Sequence, residues 1–408
     1  MTALSHVPVR KIVRAIAGAA ERWADGDFPP RVRILDRIAE RTGYSLPAVE
    51  YALDRLFFSM TERELIAPIA NELGSLAALD GFVAREGRPD AWASPAGHVC
   101  IISSRTTIGV ALTPAVFALC AKCDVSVKDR EDLLAGAFFE TLTEELDEFA
   151  AAARAAAWRP GDADAPDLQT FDVAVAYGGD DALASIRSSL HAQARFVGYG
   201  PRASAGYVTR ESLASPQRVA TLAARAARDL VLYESEGCLS LHVLFVENGG
   251  TQTPLQFAQT LAQAVETAGV EFPPGRTEAA LRAHLAHLRN LGAFRAAGGR
   301  GAVFANDAAE YLLEYDPPRE QAPHFLPRAL GIVPVDGPQD ALAYLRAQRL
   351  PLEGFALSTD RADAVEAAIA AGAVRLARFG ELQHPPLAGD HGGRPRIAEF
   401  IRWIDKTL

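Results

Sequence analysis

From His98 onward, short apolar runs alternate with segments long enough to form helices, and this alternation constrains the fold more than any other feature. The predicted strands of the first such region are VCIIS (99–103), DVSVK (124–128), VAVAY (173–177) and ARFVGYG (194–200). The predicted helices between them cover residues 113–123, 131–146 and 180–190. Strand–helix–strand units of this length favour a mostly parallel sheet, on which ligands bind at the carboxyl ends of the strands.

A second α/β region begins near residue 209. Its first predicted elements are a helix over 215–232 and an apolar strand over 239–246. A second helix is expected to start with Thr253 as N-cap, Pro254 at its first position and Gln256 closing a capping box, and to end before Gly269. Further strands are predicted at 302–305, 330–335 and 354–359, with a helix over 361–372.

The first 92 residues have helical patterns throughout, including a capping box from Thr61 to Glu64. We therefore predict a helical layer over 1–92 that packs on the first α/β domain. The predicted domains after it are the first α/β domain over 93–208, the second over 209–375 and a C-terminal segment over 376–408.

Composition excludes several classes of partner. The formal net charge is −10, so the chain has no basic surplus to displace counterions from nucleic acid. No apolar run approaches the 18 or so residues that a membrane span needs. Four cysteines in 408 residues do not form a disulfide framework, and no secretory leader is recognisable, so we expect a cytoplasmic protein.

Cys238 is the first candidate for chemistry. It follows Gly237 and directly precedes an apolar strand, where a glycine lets a ligand approach the backbone. The alternative is a small buried apolar side chain, which is the usual state of an intracellular cysteine. Cys120 and Cys123 have metal spacing, but no second pair of ligands accompanies them, so we expect no metal site.

The order of several short motifs resembles the aldehyde dehydrogenase superfamily, and within it the LuxC-type acyl-CoA reductases, the fatty acid reductases of bacterial bioluminescence. The motifs are Glu72-Leu73-Gly74, Leu79-Asp80-Gly81-Phe82, Gly178-Gly179-Asp180, Arg195–Ala205, Glu236-Gly237-Cys238 and Gly392-Gly393 before Arg402-Trp403. The resemblance spans nearly the whole chain. It implies a Rossmann-like cofactor domain, an α/β catalytic domain and a helical N-terminal layer.

The resemblance also implies roles for single residues. Cys238 matches the nucleophile, which accepts the acyl group of an acyl-CoA and holds it as a thioester until hydride from NADPH or NADH reduces it. Lys128 and Glu131 match the residues that contact the adenosine ribose, and Gly178 and Gly179 match the turn near the dinucleotide. For the two glycines, the alternative is a turn that needs a positive φ. A cationic neighbour or helix end is expected near Cys238 to favour its thiolate.

Three departures from the superfamily pattern bear on the chemistry. Gly198-Tyr199-Gly200-Pro201 replaces the stretch whose glutamate activates water, which favours acylating chemistry over acid formation. The segment Ser103–Thr107 replaces the asparagine that stabilises the oxyanion. We expect Arg105 or Thr106 to substitute for it, and Ser103 to contact the cofactor. Pro327–Gly331 replaces a stretch that contacts the cofactor ribose.

The leading hypothesis is a reductase that converts the thioester of an acyl-CoA or acyl-protein into an aldehyde. A degenerate member that binds acyl groups or a partner without turnover is the first alternative. An aldehyde dehydrogenase working oxidatively is the second. The resemblance further implies a homo-oligomer or an acyl-transferring partner enzyme, whereas the choice between NADH and NADPH stays open.

Overall fold

The computed structural model describes residues 2–104, 106–129, 134–158, 162 and 165–408, which form two compact units. The first unit comprises the residues up to Thr42, Val49–Gly200 and Pro386–Leu408, and the second comprises Gly43–Ala48 and Pro201–Pro385. The helices are α1 (Val9–Ala24), α2 (Pro29–Thr42), α3 (Leu46–Phe58), α4 (Glu62–Leu73), α5 (Leu112–Cys120), α6 (Leu134–Glu145), α7 (Phe149–Ala152), α8 (Asp180–Ser188), α9 (Pro216–Val231), α10 (Pro254–Glu271), α11 (Ala279–Ala297), α12 (Pro338–Gln348) and α13 (Ala362–Ala370). The strands are β1 (Val83–Arg85), β2 (Arg88–Pro95), β3 (His98–Ile102), β4 (Asp124–Lys128), β5 (Ala153–Ala156), β6 (Val173–Tyr177), β7 (Arg195–Tyr199), β8 (Ala203–Val208), β9 (Leu241–Glu247), β10 (Ala302–Phe304), β11 (Leu312–Tyr315), β12 (Ala329–Val335), β13 (Leu352–Leu357), β14 (Arg375–Arg378) and β15 (Ile401–Lys406).

The first unit is built on a parallel sheet with the strand order β5-β4-β3-β6-β7. Its central strands are apolar and buried, as strands covered on both faces must be. The α/β class is confirmed, and β4 and β6 have the bounds predicted from the sequence. Because β3 leads to β4 on one side and β6 lies on the other, the strand order reverses between β3 and β6, which is where ligands of such sheets bind.

The N-terminal helices pack within this first unit. α1 buries residues on one face, among them Ile12, Ile16 and Trp23, and packs against α6. The indole N–H of Trp23 donates to the hydroxyl of Thr141 on α6 at 2.9 Å, which satisfies the buried polar end of the ring. One half of the predicted capping box of α4 is confirmed, since the Thr61 hydroxyl accepts the backbone N–H of Glu64.

The prediction of helices throughout residues 1–92 is wrong at its end. β1 and β2 form a hairpin around Gly87, whose φ of 65° is in the left-handed region that favours glycine. β2 also pairs with β15, in an antiparallel register that joins Trp92 to Ile404. The partner strand lies at the far end of the chain, so no local pattern indicates this small sheet.

The second unit contains a seven-stranded sheet with the order β10-β11-β12-β9-β8-β13-β14, parallel except for β10. β8 lies in its centre, so the structure places residues 203–208 in this unit, whereas the sequence-based boundary puts them before residue 209. The predicted boundary at 375/376 likewise divides β14. Both differences have one cause: strand pairing over long sequence separations decides which sheet a short strand joins.

α10 begins as predicted and ends later. Thr253 and Gln256 form the reciprocal capping box, with N–H to side-chain oxygen distances of 2.7 and 3.2 Å. The prediction that Gly269 ends the helix is wrong, because α10 continues to Glu271. The guanidinium of Arg328 donates to the carbonyl of Phe272 at 2.9 Å, so a distant side chain satisfies the helix end where a glycine cap was expected.

Candidate active site

The candidate cofactor residues of the first unit lie along one edge of its sheet. Ser103 directly follows β3, Lys128 is the last residue of β4, and Gly178 directly follows β6. Ile102 is in register with both Lys128 and Ala176, so these three strands end at the same level. The structure therefore brings Ser103, Lys128 and Gly178 to the carboxyl edge on both sides of the point where the strand order reverses.

The polar groups at this edge are held by local hydrogen bonds. Ser103 is buried, its N–H donates to the Lys128 carbonyl at 3.3 Å and its hydroxyl donates to the Ser104 carbonyl at 3.0 Å. The hydroxyls of Ser104 and Thr106 are 3.2 Å apart. The Lys128 ammonium lies 5.4 Å from the centre of the Trp158 ring, a cation–π distance. The remaining candidates, Arg105 and Glu131, lie outside the described residues.

Gly178 and Gly179 leave open space at the end of β6. Gly179 has a φ of −69° and is the N-cap of α8, so the alternative that this turn requires a positive φ is wrong for it. A Cβ atom added to Gly179 would meet no atom within 4 Å, and one added to Gly178 would meet only the Cβ of Ala182, at 3.6 Å. Asp180 and Asp181 occupy the first turn of α8, where their negative charges interact favourably with the positive end of the helix dipole.

These features fit a nicotinamide dinucleotide with one restriction. The open backbone at Gly179 permits the close approach that such a ligand needs, and Lys128 supplies a positive charge at the same edge. The carboxylates of Asp180 and Asp181 oppose a diphosphate directly on the N-terminus of α8.

Tyr199 belongs to the segment 198–201, which the sequence resemblance matched to the water-activating stretch. Its ring stacks on that of Tyr177 at the ends of β6 and β7, with 4.9 Å between centroids and 13° between planes. Residues 198–201 carry no carboxylate, so this segment supplies no general base for hydrolysis.

Cys238 lies in the second unit, in the connection between α9 and β9. Tyr233, Glu234 and Ser235 in this connection have φ values of 55°, 51° and 58°, in the left-handed region that non-glycine residues rarely adopt. Each such residue costs roughly 1 kcal/mol, so the surrounding structure must hold the segment in place.

A buried ion pair holds the first part of this segment. The Arg328 guanidinium binds the Glu234 carboxylate through two hydrogen bonds of 2.8 and 2.7 Å, and the Gly275 N–H donates to the same carboxylate at 3.0 Å. Both side chains are buried. Sequence analysis identified Arg328 only as part of a stretch that departs from the superfamily, because its partner lies 94 residues away.

His242 holds the next residue of the segment. Its Nε2 lies 3.1 Å from the Ser235 carbonyl, and the Ser235 hydroxyl donates to the Leu230 carbonyl at 2.8 Å. Desolvation lowers the pKa of the buried His242 to about 4, so at neutral pH the ring is uncharged and can donate through Nε2. The role of His242 is not recognisable from the sequence, because a histidine within an apolar strand does not indicate that it binds the Ser235 carbonyl.

Ser204 fixes the backbone of Cys238. Its hydroxyl donates to the Cys238 carbonyl at 2.8 Å and accepts the Gly354 N–H at 2.9 Å. A Cβ on Gly354 would lie 2.8 Å from that hydroxyl, so a larger residue here would displace the Ser204 side chain. Beyond the cysteine, the Gln383 amide donates to the Ser240 hydroxyl at 2.9 Å. The turn that carries Cys238 is thus anchored to β8, β13 and the segment after β14.

Cys238 is an exposed residue, which argues against the alternative of a buried apolar filler. The other cysteines, Cys100, Cys120 and Cys123, are all buried. Protein atoms nevertheless crowd the surroundings of the sulfur. Desolvation, followed by the charge of Glu353, raises the Cys238 pKa to about 12, against the opposing effects of the Cys238 and Leu239 N–H groups and of Arg202. The expected cationic neighbour is therefore present, but the thiol stays protonated at neutral pH.

The described residues contain neither a candidate metal site nor a candidate membrane-spanning helix. Within those ranges, no group of three or more His, Cys, Asp or Glu side chains could hold a metal ion. Among the helices the structure describes, none has the length and apolar character needed to cross a membrane.

The chain is similar to one known protein family and to several solved structures. The family described as "Acyl-CoA reductase (LuxC)" matches residues 4–403. No curated protein matches the chain. Among solved structures, an NAD-dependent benzaldehyde dehydrogenase from Corynebacterium glutamicum has a TM-score of 0.72 at 13% identity, covering 99% of this chain and 87% of that chain. Aldehyde dehydrogenase 21 from Physcomitrella patens has a TM-score of 0.71 at 10% identity, covering 99% and 85%.

An oxidoreductase from Marinobacter aquaeolei is also similar, with a TM-score of 0.70 at 12% identity over 97% of this chain and 84% of that chain. At these identities the likeness concerns the fold alone. It confirms the predicted aldehyde dehydrogenase-like fold with its two α/β regions.

Proposed function

The chain belongs to the LuxC family of acyl-CoA reductases, and from this premise we propose that it reduces an acyl thioester to an aldehyde through a covalent intermediate on Cys238. Membership in this family makes it an oxidoreductase of aldehyde chemistry that uses a nicotinamide cofactor. The acyl-CoA substrate and the role of the cysteine are the parts that we propose.

The observation that carries the proposal is the placement of Cys238. Cys238 is an exposed residue on a turn, and the Ser204 hydroxyl fixes its carbonyl. The N–H groups of Cys238 and Leu239 both favour the ionised sulfur, which helps the thiolate to form. A nucleophile with fixed geometry and backbone donors at hand is what acyl transfer requires.

The reaction begins when the sulfur of Cys238 attacks the carbonyl carbon of the acyl thioester. A new bond forms between Sγ and that carbon, the bond to the sulfur of coenzyme A breaks, and the coenzyme A thiolate leaves and takes up a proton. The N–H groups of Cys238 and Leu239 would stabilise the oxyanion of this step. Cys238 then carries the acyl group as a thioester.

The second half of the reaction needs the acyl-enzyme to persist. Residues 198–201 contain no carboxylate to activate water, so hydrolysis to the acid is disfavoured. A bound nicotinamide supplies the hydride that reduces the thioester. Lys128, Ser103 and the open backbone at Gly178 and Gly179 would hold this cofactor. When the aldehyde departs, the bond between its carbon and Sγ breaks, and the Cys238 thiolate takes up a proton from solvent to become a free thiol.

Intact-protein mass spectrometry tests the proposal. Incubation with a fatty acyl-CoA, without reduced cofactor, should add one acyl group that peptide mapping places on Cys238. Addition of NADPH or NADH should discharge it, with one cofactor oxidised per acyl group. Cys238→Ala should lose the adduct and lower the rate of cofactor oxidation by about 10³-fold or more, since the nucleophile is gone.

The matched control is Cys120→Ala, which removes a buried thiol from the first unit and should retain the adduct. An acyl group mapped to another residue, or full turnover in Cys238→Ala, would refute the covalent mechanism.

The raised pKa of Cys238 favours a second candidate function, an acyl-binding protein without turnover. This protein would bind acyl-CoA but form no adduct and show no affinity for NADPH in a fluorescence titration. An oxidative dehydrogenase, by contrast, would produce the acid from an aldehyde without coenzyme A.

A further inference from the structure

The thiol of Cys238 must ionise before it can attack, yet its surroundings favour the protonated form. Two side chains of the second unit bear opposite charges in these surroundings. Arg202 directly precedes β8, and Glu353 lies on β13. Their Nη1 and Oε2 atoms are 3.3 Å apart.

The strand order puts this pair at the same end of the sheet as the cysteine. β8 lies between β9 and β13, Cys238 precedes β9, and Leu352 of β13 is in register with Ala203 of β8. Ser204 binds both the Cys238 carbonyl and the N–H of Gly354, the residue after Glu353. Arg202, Glu353 and Cys238 thus lie near the amino ends of the adjacent strands β8, β13 and β9. The Ser204 hydroxyl links these three strand ends.

The two charges act on the sulfur in opposite directions. The negative charge of Glu353 opposes ionisation of the thiol, and the positive charge of Arg202 favours it. Glu353 is the more buried, at 10% side-chain exposure against 32% for Arg202, so its charge is the less screened by water. Arg375 on β14 also faces Glu353, while its own guanidinium donates to the Glu381 and His384 carbonyls.

We propose that the Arg202–Glu353 pair tunes the charge state of Cys238: the crowded surroundings keep the thiol protonated, Glu353 adds to this effect and Arg202 opposes it. A substrate oxygen that draws Arg202 from Glu353 toward the sulfur favours the thiolate, and the thiol proton passes to solvent. Both side chains are positioning residues, since they act on the sulfur through its electrostatic surroundings. The inference rests on the proposed role of Cys238 as nucleophile.

The rate of alkylation by iodoacetamide, measured against pH on the full chain, tests this inference without acyl-CoA. Only the thiolate reacts, so the rate at a fixed pH near 8 follows the ionised fraction. Because a neighbouring charge shifts a pKa by about 1 unit or more, Glu353→Gln should accelerate alkylation of Cys238 about tenfold and Arg202→Gln should slow it about tenfold. The double variant should return toward the wild-type rate.

Two further variants separate charge from structure. Arg202→Lys keeps the positive charge and should retain the wild-type alkylation profile even if Arg202→Gln folds poorly. Glu271→Gln removes a surface ion pair of the same unit, Arg228–Glu271 at 2.8 Å, and should leave the profile unchanged.

Slower alkylation in Glu353→Gln would overturn the inference, because Glu353 would then be accepting the thiol proton. Equal rates in all variants would overturn it as well. Opposite shifts in the two single variants support it, even if no acyl adduct forms on Cys238, in which case only the proposed function fails.

Discussion

The five-stranded sheet of the first unit and the seven-stranded sheet of the second carry their candidate site residues at opposite ends of their parallel strands. In the first unit, Ser103 and Gly178 follow the last residues of β3 and β6. In the second unit, Cys238 lies before the first residue of β9, and Arg202 lies before β8. The cofactor candidates stand beside open backbone, whereas the cysteine stands on a turn fixed by distant side chains.

The polarity of helices explains the difference. Helices that connect parallel strands run back along the sheet, so their positive N-termini gather at the carboxyl ends of the strands and their negative C-termini at the amino ends. A dinucleotide benefits from the first end. A thiolate at the second end receives no such help, and α9 ends just before the segment that carries Cys238. Desolvation, followed by the charge of Glu353, raises the pKa of Cys238, and Arg202 and the N–H groups of Cys238 and Leu239 oppose this shift.

The largest expected effect is a loss of stability when a buried charge is removed near the cysteine. Glu234→Gln leaves Arg328 buried without its counterion, so the free energy of unfolding of the second unit should fall by about 3–5 kcal/mol. Urea denaturation, monitored by circular dichroism, measures this loss of stability. Affinity for NADPH should be unchanged wherever the protein is folded, since the candidate cofactor residues lie in the first unit.

The exposed pair Arg228–Glu271 provides the control for this loss. Glu271→Gln should cost less than about 1 kcal/mol, because a surface ion pair contributes little. A comparable cost for Glu234→Gln would mean that its ion pair does not hold the left-handed segment.

The next largest effect is the pH dependence of stability that His242, in the second unit, should cause. The His242 pKa is about 4 in the folded chain and 6.5 in the unfolded one, so between these values the unfolded chain binds more protons. Stability from this group is complete above pH 6.5 and is lost as the pH falls toward 4. The loss is on the order of 3 kcal/mol, because one pKa unit corresponds to about 1.4 kcal/mol.

The comparison with His242→Gln isolates this effect, because all other titrating groups are shared. Urea midpoints of the two proteins, measured from pH 7.5 to pH 4.5, should show the wild type losing stability relative to the variant. A constant difference over this range would show that His242 is not held neutral.

The smallest expected effect tests the open end of the first sheet. Gly179→Val places a side chain where a Cβ meets no atom within 4 Å, so folding should be little affected. The dissociation constant for NADPH or NADH should rise about tenfold, equivalent to ~1.4 kcal/mol, because the side chain enters the space of the ligand. Isothermal titration calorimetry gives this constant.

Gly337→Val is the matched control in the second unit. Gly337 is likewise an N-cap in extended backbone with open space around its Cα, so both variants share any capping cost. Equal cofactor affinities in the two variants would place the dinucleotide elsewhere.

Much of the fold could be predicted because its signals are local. The bounds of β4 and β6 and the capping box of Thr253 and Gln256 follow from residues within a few positions of one another. The small sheet of β1, β2 and β15 could not be predicted, since its pairing spans most of the chain. The end of α10 was predicted wrongly from Gly269, because the distant Arg328 side chain binds the Phe272 carbonyl at the end of the helix.

The sequence by itself determined the alternation of strands and helices, the family, and the cysteine that precedes an apolar strand. Only the tertiary structure decided what surrounds that cysteine: the Ser204 hydroxyl, the buried pair of Glu234 and Arg328, and the opposing charges of Arg202 and Glu353. The physical reason is range. Secondary structure depends on neighbours along the chain, whereas the pKa and the position of a side chain depend on neighbours in space that the chain brings together only when it folds.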